Sequence, residues 1–240
     1  MPIRLIPHAL RQQLRSQYTL ESLELIVQEL ISNGIDSGAS QITIRIDLES
    51  CYVEVSDNGS GISSTDLPLL GQRYTSSRDL PNPQLLPEVT RSMQLRPTGF
   101  RGEALASLSH IALVELHTRA QSKAPGAVVI LQDGWIIEQR SPGHIGSHYP
   151  TGTTVRVHNI FYRTPVRRKQ LQESSPALLL SRVKKVVETM ALIRPCLAFT
   201  AINQKNTRFI VQLPEVRKLL LISTVRDRIR RFRIVDRCSL

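Results

Sequence analysis

Gly99-Phe100-Arg101-Gly102-Glu103-Ala104-Leu105-Ala106-Ser107-Leu108-Ser109-His110, residues 99–110, is the stretch whose reading decides the fold. Two glycines bracket an aromatic and an arginine, and an apolar run over 104–111 follows. That pattern predicts a loop entering the N-terminus of a helix. Unpaired N–H groups and the positive end of the helix dipole make such a junction a phosphate-binding device. Taken alone, the stretch fits an ordinary loop-to-helix junction equally well.

Two upstream clusters bear on that choice. Leu20, Leu23, Ile26, Val27, Leu30 and Ile31 recur at helical spacing, which predicts a helix over 19–35 with Thr19 as N-cap. Glu29 and Asn33 lie one turn apart on one face of it. A carboxylate there is a general base for a water, and an amide oxygen is a hard ligand for Mg²⁺; the plain alternative is a solvated helix face. Next, Ile42, Ile44, Ile46 and Leu48 alternate with polar residues, and residues 52–55 read as the partner strand. The strand runs into Asp57-Asn58-Gly59-Ser60-Gly61. A buried Asp57 there can accept from an exocyclic amine such as that of adenine, with Gly59 and Gly61 admitting a planar ring; the alternative is a simple turn. There is no G-x-x-x-x-G-K-[ST] loop and no G-x-G-x-x-G behind a strand.

The remaining pattern is coarser. Residues 76–98 carry four prolines and no periodicity, so a long loop is expected. Strands are expected near 113–118, 127–131 and 153–158, and a second long helix over 176–193. The chain has 240 residues, 41% apolar and 21% charged, enough to bury a core. No apolar run approaches the ~18–20 residues that span a bilayer, so no membrane partner is expected. Cys51, Cys196 and Cys238 are far apart, which argues against a disulfide framework or a Cys-x-x-Cys zinc site and favours a reducing compartment. The net charge of +11 is uneven: residues 1–160 hold 13 Lys/Arg against 15 Asp/Glu, and 161–240 hold 18 against 5. A basic last third suits an anionic partner such as nucleic acid.

The ordered series Glu29-x-x-x-Asn33, Asp57-x-Gly59-x-Gly61, Gly99-Phe100-Arg101-Gly102-Glu103-Ala104-Leu105 and Gly152-Thr153-Thr154 resembles the four ATP-binding motifs of the GHKL superfamily. Within it, GFRGEALASLSH and the run NIFYRTPVRRKQL at 159–171 resemble MutL-type DNA mismatch-repair proteins. The resemblance covers roughly residues 4–213.

The resemblance implies an α/β fold of the Bergerat type, an α+β sandwich with a mixed sheet backed by helices. It places a GHKL ATPase domain over 1–212 and a truncated or atypical start of a second α/β domain over 213–240. It implies ATP and Mg²⁺ as cofactors, with Glu29 activating the attacking water, Asn33 holding Mg²⁺, Asp57 reading the adenine amino group, Gly59 and Gly61 beside the ring and Thr154 supporting it. Asp36 matches the helix exit. Thr75, Ser76, Ser77 and Arg78 match a nucleotide-proximal segment, with Arg78 where lysine is common. Gly99, Phe100, Arg101 and Gly102 match the lid over the phosphates. Implied partners are a second MutL-type subunit, DNA and a MutS-type mismatch-recognition protein, with nuclear localisation if the source is eukaryotic and a mismatch-repair or meiotic-recombination role. ATP would drive N-terminal dimerisation into a DNA clamp. Arg163, Arg167, Arg168 and Lys169 surround Pro165, are expected in or near a loop, and are candidate contacts to DNA phosphates; the alternative is that Arg167 and Arg168 pair with local carboxylates. The family's second-domain lysine matches no position here, so the competing expectation is an inert fragment that only binds nucleotide, DNA or a partner. A histidine-phosphorylating kinase is disfavoured, since none of the six histidines lies in a supporting box.

Overall fold

The β-branched alternation at Ile42, Ile44 and Ile46 makes one face of a strand apolar, and that face needs a covering layer. In the computed structural model the cover is helical. The structure describes residues 20–72, 103–120, 125–140, 150–194, 196–203 and 209–213. Helix α1 is Leu23–Asp36, followed by β1 Gln41–Asp47, β2 Tyr52–Asp57, a 3₁₀ turn Leu67–Leu69, α2 Ala104–Ile111, β3 Leu113–Arg119, β4 Ala127–Gln132, β5 Trp135–Arg140, β6 Gly152–His158, α3 Pro165–Glu173, α4 Pro176–Ile193, β7 Ala198–Asn203 and β8 Phe209–Leu213.

The strands form one eight-stranded mixed sheet in the order β5-β4-β3-β6-β2-β1-β7-β8. Only the β1–β7 pairing among these is parallel. Register places Ile44 beside Val55 and Ala201, Val55 beside Val155, Val155 beside Leu116, and Leu116 beside Val129. All of these are buried and form one continuous core with Ile26, Leu30 and Ile31 of α1, Leu108 and Ile111 of α2, and Val183 and Val187 of α4. Each such aliphatic side chain contributes roughly 1.5–3 kcal/mol on burial. Among the described residues no helix is long and apolar enough to cross a membrane.

The opposite face of the sheet is polar. Glu54 is buried there and accepts from Arg45 (2.8 Å), the Tyr52 hydroxyl (2.9 Å) and Arg156 (2.9 Å). Glu115 continues the network through His117, His158 and Arg156. Burial pushes the Glu54 carboxyl up, but the bonds from Arg156 and Tyr52 and the two guanidinium charges outweigh it and hold the group below the usual carboxylate range. Tyr52, half-buried and bonded to Glu54, is pushed up to about 12.

Several elements differ from expectation. The first helix starts at Leu23 with Ser22 as N-cap, and Thr19 lies outside the described residues, as does the loop expected over 76–98. Strand β5 was not expected; it follows a tight turn in which Asp133 (φ 57°) and Gly134 (φ 83°) both take left-handed backbone, the two-residue hairpin signature. Of the residues expected in or near a loop around Pro165, Arg163 lies in a turn, while Arg167, Arg168 and Lys169 lie on helix α3, which Pro165 opens because proline at the first helical position has a suitable φ and needs no N–H partner. Of the division at residue 212, the segment beyond 213 lies outside the described residues.

Candidate functional site

Asp57 ends β2 at the edge of the core, against the C-terminal half of α1. A methyl group on Gly34 would stand 2.9 Å from Ile42 Cδ1 and 3.2 Å from Asp57 Cβ, so a side chain there would hold the helix off the strand. This close approach brings α1, with Glu29 and Asn33 both half-buried, to the Asp57 end of the sheet.

The carboxyl itself is held by three donors. The Gly59 N–H donates to Oδ1 at 2.8 Å, the Ser37 hydroxyl donates to the same oxygen at 3.1 Å, and the Thr153 backbone N–H also donates to the group. Burial raises the Asp57 pKa despite these bonds, which pull it down. The turn after Asp57 is locked to the exit of α1: Ser60 N–H donates to Ser37 O (2.9 Å), and the Asn58 side-chain oxygen accepts from the N–H groups of Ser40 and Gln41 (2.9 Å each). On the far side, Thr118 Oγ1 accepts from Ile62 N–H (2.8 Å) and lies 3.0 Å from Thr153 Oγ1. A half-buried acceptor is thus framed by hydroxyls and backbone donors in fixed positions, an arrangement suited to a purine amino group.

The structure redistributes some of the expected roles. Gly59 and Gly61 were expected to leave room for a ring. The space of a Gly59 Cβ is instead taken by Ser37, whose Oγ would lie 1.9 Å away, and that of Gly61 by the Arg119 carbonyl at 2.0 Å. Thr154, expected beside Asp57, pairs in register with Ser56 and bonds its hydroxyl at 2.8 Å, on the opposite sheet face. Thr153 takes the position opposite Asp57. The period of two along a strand decides this, since adjacent threonines face opposite ways. Ser37, Thr118 and Thr153 were missed; Gly34-x-x-Ser37 and the threonine doublet were the available signals. Asp36 closes α1 and is half-buried. Thr75, Ser76, Ser77, Arg78, Gly99, Phe100, Arg101 and Gly102 lie outside the described residues. Their downstream neighbour Glu103 caps α2 and is buried.

The basic candidates are separate from this site. Arg163 is paired with Asp133, and Lys169 with Glu173 at 3.6 Å. Arg168 and Arg167 lie on α3, and Arg168 reaches the Asn159 side-chain oxygen at 3.5 Å. Arg163 and Lys169 thus meet carboxylates, whereas the local carboxylate expected as an alternative partner of Arg168 is not found among the described residues. Among the described residues no group of three or more His, Cys, Asp or Glu is placed to hold a metal ion.

With a mixed sheet backed by helices and a half-buried acid facing a helix that carries Glu29 and Asn33, the chain belongs to the histidine kinase-, DNA gyrase B- and HSP90-like ATPase family, whose model matches residues 19–159. The resemblance to MutL-type proteins is borne out by curated relatives. The chain is 35% identical over 215 residues to the DNA mismatch repair protein MLH3 of Arabidopsis thaliana, covering 88% of this chain and 17% of that protein. It is 32% identical over 201 residues to MutL of Streptococcus sanguinis, covering 82% and 29%. It therefore spans less than a third of either relative's length. Among solved structures, the N-terminal domain of a DNA repair protein superposes with a TM-score of 0.68 at 25% identity, covering 91% of this chain and 58% of that one. The ADP complex of the Aquifex aeolicus MutL ATPase domain has the same fold (TM-score 0.62, 24% identity, 88% and 69% covered).

Proposed function

We propose that this chain is the ATP-binding, slowly ATP-hydrolysing module of a MutL-type DNA mismatch-repair protein. The observation that carries the reading is the Asp57 carboxyl, half-buried, triply hydrogen-bonded and pressed against the helix that bears Glu29 and Asn33. Asp57 accepts the adenine amino group, with Thr153 and Thr118 framing the base. Glu29 orients and deprotonates the attacking water. Asn33 offers a hard oxygen of the kind Mg²⁺ takes alongside phosphates and waters; the ion, when bound, neutralises phosphate charge that no Walker lysine meets here. The nucleotide-proximal segment at Thr75, Ser76, Ser77 and Arg78 and the lid at Gly99, Phe100, Arg101 and Gly102 close on the phosphates. Closure promotes N-terminal dimerisation with a second MutL-type subunit around DNA, in concert with a MutS-type protein and, in a eukaryote, in the nucleus. The basic residues of 163–169 touch the DNA backbone.

The relatives' names and the shared fold support this reading. The test is single-turnover hydrolysis with Mg²⁺ and ATP alongside calorimetry with a non-hydrolysable analogue, on wild type and Glu29→Ala. We expect the variant to bind the analogue and to lose turnover at least tenfold. Equal turnover in the two proteins would remove Glu29 from the role of base, and no analogue binding by folded wild type would refute the ATP-binding reading.

A further inference from the structure

At the end of the sheet away from Asp57, the start of β3 and the ends of β4 and β6 surround a cavity of about 360 Å³ lined by Leu113, Gln132, Asn159, Tyr162 and Arg168. Register separates the two places: Asp57 lies opposite Thr153 and Thr153 opposite Thr118, whereas Leu113 lies opposite His158, one residue before Asn159. Seven-residue strands put roughly 20 Å between them. We propose that this cavity seats one phosphodiester group of a nucleic-acid strand, gripped by Arg168 and Asn159. The inference rests on the DNA-contact reading above and narrows it from a basic segment to one pocket.

The chemistry of the lining is that of an anion receptor. Tyr162 is already engaged, its hydroxyl donating to Asp133 Oδ1 at 3.0 Å and accepting from Gln132 Nε2 at 3.5 Å. Asp133, the nearby carboxylate, is occupied by Tyr162 and Arg163. Arg168 meets no carboxylate among the described residues; its one bond is a long 3.5 Å contact to the Asn159 carboxamide oxygen. A guanidinium with four further N–H donors, beside an amide whose oxygen is used and whose Nδ2 still donates, presents donors to the cavity without a competing charge. Asn159 is held in left-handed backbone (φ 54°), which aims the carboxamide at α3 in place of continuing β6. The surroundings select a polyanion over a small free anion: residues 161–194 hold eight Lys/Arg against two Asp/Glu, and even with Arg163 and Arg182 paired to Asp133 and Glu24 the segment keeps an excess of positive charge that a strand of phosphates meets.

The experiment is the salt dependence of binding of the whole chain to a fluorescent 20-base-pair duplex, by anisotropy between 50 and 200 mM KCl. Arg168→Gln should weaken binding about tenfold and reduce the magnitude of the log–log salt slope by about 0.9, the value of one phosphate contact. Asn159→Gly, which keeps the left-handed backbone accessible, should weaken binding severalfold with the slope unchanged, because the amide carries no charge. Arg140→Gln on β5 removes the same charge outside both the pocket and the 161–194 segment and should leave the slope as in wild type. Thermal melts of each variant report folding, and Asn159→Gly keeps the test open if Arg168→Gln does not fold. DNA binding by wild type with an unaltered slope in Arg168→Gln overturns the pocket and leaves the broader DNA reading standing. Failure of folded wild type to bind the duplex overturns both. Saturable binding of inorganic phosphate, lost in Arg168→Gln while its duplex slope matches wild type, would make this a small-anion site and overturn the nucleic-acid assignment.

Discussion

Replacing Asp57 with asparagine separates the two things this carboxyl does. In the folded chain the group is half-buried, and the desolvation that raises its pKa means that the ionised form costs more there than in the unfolded chain. The contribution of Asp57 to stability is therefore fully present below its unfolded pKa and is lost as pH rises through the folded one. Asparagine keeps an oxygen for the Gly59 N–H and the Ser37 hydroxyl and carries no charge. The expected stability change at pH 7 is thus small, within about 1 kcal/mol and of either sign, or about 2–4 °C in Tm. Relative to wild type, the variant should gain as pH is raised from 4 to 7. Nucleotide affinity should behave differently. A hydrogen bond from an adenine amino group to a charged acceptor is worth about 1.5–3 kcal/mol, so binding of an ATP analogue should fall about 10- to 150-fold. Differential scanning fluorimetry across that pH range, with and without Mg²⁺ and analogue, reads both effects. A variant that melts many degrees lower at pH 7 than at pH 4 relative to wild type would refute the burial argument. Wild-type affinity in the variant would refute the adenine-reading role.

Two further outcomes follow from the same physics. Glu54→Gln on the polar sheet face leaves Arg45, Arg156 and Tyr52 without their charged acceptor. It should cost roughly 2 kcal/mol by urea denaturation, less than a fully buried pair because Arg45 is half-exposed. Since Glu54 and Glu115 are held below the usual carboxylate range, their stabilisation is present above the unfolded pKa and lost as pH falls through the folded one. Wild type should therefore weaken below about pH 4, with a shallower decline in the variant. Gly34→Ala gains helix propensity of up to about 1 kcal/mol but sets its methyl 2.9 Å from the fully buried Ile42. A net loss of about 1 kcal/mol and weaker analogue binding are expected from chemical denaturation and calorimetry, and a stabilised variant with unchanged binding would show that α1 shifts freely.

How much was legible can be traced element by element. The alternation through Ile42, Ile44 and Ile46 and the stripe from Leu23 to Ile31 name their elements because one-sided burial imposes a period on the chain. The same logic finds α2 and α4. Helix α3 escaped because only Leu171 of its nine residues is buried, so it carries no stripe. Strand β5 escaped because it is an edge strand with Trp135 and Ile137 outward, although Asp133-Gly134 announced its hairpin.

By itself the sequence determined which residue types stand in which order: an acid and an amide one turn apart on a helix, then an acid at a strand end, then a glycine-bracketed helix start, then a threonine doublet. Those are local or serial properties, written in spacing. Only the tertiary structure decided that Thr153 and not Thr154 shares the sheet face of Asp57, that Ser37 fills the space Gly59 leaves, and that Arg163 is neutralised by Asp133 while Arg168 is not. Each of those depends on strand register or on contact between segments 20 to 100 residues apart, and no spacing along the chain encodes a distance through space.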